Sequence, residues 1–113
     1  MEFAILTNEI YKTWSGMTAR QYKDYKGLKK ESLRDNMTEV EVILTDLGEV
    51  ATRELTKKHE PYGLNENKIM ANKGGNIAKI TKDNLEKELR ESVITHKNNL
   101  DYKHIDDKIL INN

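Results

Sequence analysis

Apolar residues recur along this chain at spacings of three and four, in blocks separated by glycine, proline and capping residues. The first block, EFAILTNEIYKTW (2–14), puts Phe3, Leu6, Ile10 and Trp14 on one helical face, and Ser15-Gly16 ends it. Thr18-x-x-Gln21 fits a capping box that opens a short helix; Tyr22, Tyr25 and Leu28 share its face, and Gly27 stops it. Thr38 and Glu41 form a second capping box. Val40, Ile43, Leu44, Leu47, Ala51 and Leu55 follow at helical spacing, Lys57, Lys58 and His59 suit the negative end of the helix dipole, and Pro61 and Gly63 terminate the pattern.

Leu64-Asn65 opens a further helix with Ile69 and Met70 on its early apolar face, and Ile77, Ile80, Thr81, Leu85 and Leu89 resume the period. Between them stands Gly74-Gly75, which reads as a break, a kink or a close helix contact. A phosphate-binding loop is the alternative, but no strand precedes the pair and no GxxxxGK[ST] pattern surrounds it. Asp83–Lys87 and Glu86–Arg90 are supportive pairs at i,i+4, worth about 0.2–0.5 kcal/mol each. Val93-Ile94 reads as extended, Thr95 as the cap of a short turn through Leu100, and DYKHIDDKILINN as a polar arm with an apolar cluster at Ile109–Ile111.

These blocks predict an all-α domain over residues 1–100, a small bundle of four to five helices around a long central helix at about 39–58, with 101–113 as a polar tail or arm. The expected core is Leu6, Ile10, Trp14, Tyr22, Leu44, Leu47, Ala51, Ile77, Leu85 and Leu89. With 113 residues the chain suffices for one modest core. No apolar run approaches the roughly 20 residues of a membrane span, and Met1-Glu2 shows no basic segment of a secretory signal, so a soluble cytoplasmic protein without membrane contact is expected.

Charge changes the picture more than composition does. The chain is neutral, with 19 basic and 19 acidic residues, so a role with nucleic acid requires local segregation of charge. Such segregation exists: residues 18–34 carry Arg20, Lys23, Lys26, Lys29, Lys30 and Arg34 against Asp24 and Glu31, a net +4. Tyr22 and Tyr25 lie within it and could stack on bases if exposed. Lys57 and Lys58, with Arg53, would extend this basic surface if the long helix runs beside it. The competing reading makes the lysines a solvated face and both tyrosines core. Lys26, Lys29, Lys30 and Arg34 are expected at the surface, because an unpaired buried cation carries a heavy desolvation cost.

Chemistry is sparse. Without cysteine, disulfides, thiolate catalysis and Cys-ligated zinc are excluded. His59, His96 and His104 stand in no metal-ligand pattern; His59 reads as a helix-end cation and the others as surface residues. Glu39/Glu41 and Asp106/Asp107 read as charged surface, and Ser15, Ser32 and Ser92 lack a nucleophile elbow or nearby base. No enzyme activity, metal, cofactor or small-molecule substrate is expected.

In order along the chain, EFAILTNEIYKTW, GLKKESLRDNMTEVEVILTDLGEVATREL and NKIMANKGGNIAKITKDNLEKEL resemble the C-terminal half of DNA-damage-inducible protein D, a family linked to the bacterial SOS response and to phage-type antirepressors. The resemblance covers roughly residues 2–98. Its most specific part is the GLKK step, the turn with Asp35 and Met37, and Thr38-Glu39 opening the long helix. It implies a non-catalytic module that restrains RecA-mediated strand exchange by contact with the recombinase filament. The N-terminal domain of full-length members, similar to that of baculovirus repeated-ORF and antirepressor proteins and usually credited with DNA binding, has no counterpart in these residues, so its role is not carried over. The partners to expect are therefore a RecA filament or DNA; a phage repressor and a second copy of the chain are the alternatives.

Overall fold

The computed structural model describes residues 2–100. Four α-helices run in the order α1 (Glu2–Ser15), α2 (Ala19–Tyr25), α3 (Glu39–His59) and α4 (Gly63–Leu89), with a single 3-10 turn at Arg34–Asn36. The fold is all-α, as the hydrophobic spacing predicts, and α3 is its long central helix. The arm at 101–113, with His104, Asp106, Asp107 and Ile109–Ile111, lies outside the described residues.

The helix ends follow local chemistry. Both capping boxes form: Thr18 accepts from the Gln21 N–H while the Gln21 side chain accepts from the Thr18 N–H, and Thr38 and Glu41 do the same for α3. Gly27, at φ +72°, takes the left-handed position after α2, and the Leu28 N–H closes back on the Lys23 carbonyl at 2.9 Å. That closure turns Leu28 inward, where it is buried. Pro61 and Gly63 do separate α3 from α4, but Gly63 is the first residue of α4.

Gly74-Gly75 does not break α4, which runs uninterrupted for 27 residues. The glycines serve two close helix contacts. A Cβ on Gly74 would stand 2.7 Å from the Thr52 nitrogen and 2.8 Å from the Gly48 carbonyl oxygen, so this residue faces α3. A Cβ on Gly75 would stand 2.8 Å from the Thr13 Cβ and 3.1 Å from the Ile10 carbonyl oxygen, so its neighbour faces α1. Ala71 and Ala78, both fully buried, continue this small-residue face one turn to each side. Three helix backbones thus converge where only small side chains fit.

This convergence corrects part of the expected core. Ile10, Trp14, Tyr22 and Leu44 are buried, and Leu6, Leu47 and Leu85 pack against them. Ile77 and Leu89, however, are 42% and 49% exposed. Ala78 takes the inward position beside Ile77, and a step of about 100° per residue carries the isoleucine to the flank. Phe3, on the expected face of α1, is also exposed. The residues not anticipated as core are Tyr11, Leu28, Leu33, Met37, Met70, Ala71, Ala78 and Val93. Leu33 and Met37 come from the irregular segment between α2 and α3, and Val93 from the segment after α4. Tyr11 and Trp14 each bring a ring centroid to 6.0 Å from that of Tyr22.

The burial difference within α3 sets a stability prediction. Leu44 is 2% exposed whereas Leu47 is partly exposed. Leu44→Ala is expected to cost about 2–5 kcal/mol in urea unfolding. Leu47→Ala should cost clearly less, and the reverse order would mean that α3 is rotated about its axis.

Candidate partner-binding surface

The basic segment does not form one continuous patch; the fold sorts its cations into three environments. Arg20, Lys29 and Lys30 come together first. The left-handed turn at Gly27 folds the chain back after α2, so that these three line one open surface groove with Asp24, Gly27 and Leu28. Arg20 has a loose ion pair with Asp24 at 3.7 Å. The Lys29 N–H donates to the Glu31 carboxylate at 2.8 Å, and this bond leads the effects that draw the Glu31 carboxyl below its ordinary range. Glu31 thereby fastens the turn through its backbone. Lys29 and Lys30 are exposed and belong to no ion pair within 4 Å among the described residues. Lys23 is half-buried on α2.

Arg34 belongs to α3 instead. Its guanidinium pairs with Asp46 and reaches Glu49 at 3.9 Å, so two carboxylates offset its charge.

Lys26 is the third case and a correction. It was expected at the surface and is 1% exposed. The argument that an unpaired lysine cannot be buried still holds, because this one is fully partnered. Its ammonium donates to Glu41 Oε1 at 2.9 Å and to the carbonyl oxygens of Thr95 and Lys97, both at 2.8 Å. The three donors of an ammonium thus have three acceptors. Glu41, read in the sequence as charged surface, is likewise buried; beside its capping role it accepts from the Tyr22 hydroxyl. Burial, then that hydrogen bond and the negative charge, push the Tyr22 hydroxyl far above its ordinary range, which keeps it a donor. Lys26 is therefore unavailable to a partner.

The same ammonium positions a segment that the sequence did not connect with α2. Residues 93–99 lie across the end of α2 as a strap. Asn98 donates to the Lys26 carbonyl at 2.7 Å, and the Asn99 N–H donates to Asn36 Oδ1 at 3.0 Å. Thr95 does not cap a turn there; helical backbone begins only at Asn99. The strap brings His96 to the ring of Tyr25, with centroids 6.4 Å apart and planes at 82°. The two tyrosines of the basic segment thus divide: Tyr22 is buried, while Tyr25 is 48% exposed. No sequence signal marks His96 and Lys97 as neighbours of α2, since some seventy residues separate them and only tertiary packing joins them.

Lys57 and Lys58 stay apart from the groove. Neither is among the residues that line it. Lys57 pairs with Glu54 at 3.1 Å, and both are largely exposed. His59 is the last residue of α3, where a helix-end cation was expected. Asp83 is paired with Lys79 at 2.9 Å and Lys82 at 3.4 Å, where the sequence suggested Lys87.

Among the described residues no helix is long and apolar enough to cross a membrane. Searches against protein-family models, curated proteins and solved structures gave no match.

Proposed function

We propose that the protein is a non-catalytic regulatory binding module of the DNA-damage-inducible protein D type, acting in the cytoplasm on RecA filaments assembled on DNA. The observation that carries this reading is the grouping of Arg20, Lys29 and Lys30 around one open groove in a chain with no net charge. Charge concentrated in this way suits an anionic partner, because phosphate contacts supply affinity and register. The recombinase itself is suggested by the resemblance, whose most specific stretch is the GLKK step that forms the wall of the groove. A second reading, self-association, is favoured by Ile43, Ile69 and Ile80, each more than half exposed.

A pull-down with RecA filaments, run beside a DNA-only control and a sizing column, separates these readings. The expected result is capture by the filament from a monomeric protein. Capture by neither filament nor DNA contradicts the proposal, and a dimer that ignores both favours self-association.

A further inference from the structure

We propose that Tyr25 and His96 form a stacking platform for unpaired bases, so that the module contacts single-stranded nucleic acid directly. This goes deeper into the proposed function and rests on its cationic groove, but it assigns residues on the strap that the groove does not include.

Three features support it. Tyr25 follows Asp24 of the groove in the chain, and it is half exposed although an aromatic side chain gains from burial. His96 meets that ring edge-on and is itself exposed, so two aromatic groups face solvent side by side. Their placement is fixed: the carbonyls of Thr95 and Lys97, immediately before and after His96, both accept from the one buried ammonium of Lys26. The backbone is therefore pinned on each side of His96. Most of the ordering cost is met by folding, which leaves less to be met on binding.

The surroundings match the ligand. Lys97 is exposed on the strap, and Lys29 and Lys30 are exposed on the turn that follows Tyr25. Aromatic faces interleaved with cations are how sequence-tolerant single-strand binders work, with bases stacked on rings and phosphates tracked by lysines. Duplex DNA offers phosphates but keeps its base faces stacked inside the helix, so it can use only the lysines.

Fluorescence anisotropy with a labelled oligodeoxythymidylate, and with a labelled random-sequence duplex, tests this on the full chain. The wild type should bind the single strand more tightly than the duplex, with affinity falling as salt rises. Tyr25→Ala and His96→Ala should each weaken single-strand binding by about tenfold while leaving duplex binding unchanged. Tyr25→Phe keeps the ring and should bind as wild type, which separates stacking from loss of fold. Equal affinity for single strand and duplex, or a Tyr25→Ala variant that binds the single strand as wild type does, overturns the platform. The two readings fail separately. Filament capture without affinity for the naked strand leaves the proposed function standing and removes the platform. Tyr25-dependent binding to the naked strand without filament capture does the opposite.

Discussion

Lys26→Met is expected to destabilise the fold by about 3–5 kcal/mol, because it takes the cation partner away from the Glu41 carboxyl in a fully buried position. The Thr95 and Lys97 carbonyls lose their donor at the same time, so the strap should loosen along with the junction of α2 and α3. Adding Glu41→Gln removes the stranded carboxyl. Glutamine also serves at this position of a capping box, as Gln21 shows in α2, so the start of α3 is preserved. The double variant should therefore recover more than half of the lost stability in urea unfolding. Hydrogen exchange adds a local readout: the Asn99 amide, bonded to Asn36, should exchange faster in the single variant. A Lys26→Met protein as stable as the wild type would mean that the ammonium is not buried among these acceptors.

Gly74→Ala is the second large effect. In an open helix the change should stabilise by up to about 1 kcal/mol through propensity. Here the new Cβ would collide with the Thr52 side chain and lie 2.8 Å from the Gly48 carbonyl oxygen, and a backbone atom cannot rotate away. Overpacking of this kind costs about 1–3 kcal/mol or more, so a net loss is expected. Gly48→Ala makes the comparison informative. Its nearest neighbour is the Ile10 Cγ2 at 2.9 Å, the end of a side chain that can give way. Thermal melts should rank Gly48→Ala above Gly74→Ala. A stabilised Gly74→Ala would show that α3 and α4 do not approach so closely.

The sequence revealed most where a single element carried the information. The capping boxes at Thr18 and Thr38, the stop at Gly27 and the continuous period of α3 are local, and the structure has each of them. Legibility was partial where helices share a face: a close helix contact was one reading of Gly74-Gly75, but the rest of the small-residue seam was not marked. Large apolar residues mark a core by their periodicity, but the centre of this bundle is made by Gly48, Ala71, Gly74, Gly75 and Ala78, whose value is their small size. The basic surface was legible as a charge count and misleading as a map. Lys26 and Arg34 look equivalent to Lys29 and Lys30 in sequence, yet acceptors on the strap and on α3 engage one pair and leave the other in no ion pair among the described residues. The Tyr25–His96 contact had no local signal, because the strap meets α2 only through contacts between residues far apart in the chain.

The central claim is that the exposed cations of the groove hold the partner. It is tested most directly by an Arg20→Glu, Lys29→Glu, Lys30→Glu variant in co-sedimentation with RecA filaments on single-stranded DNA. These side chains contribute only the weak Arg20–Asp24 pair to the fold, and exposed pairs are worth about 1 kcal/mol or less. Helical circular dichroism and the melting temperature should therefore stay close to wild type, while co-sedimentation is lost. A folded triple variant that sediments with the filament as wild type does would contradict the claim and leave the groove as a solvated face.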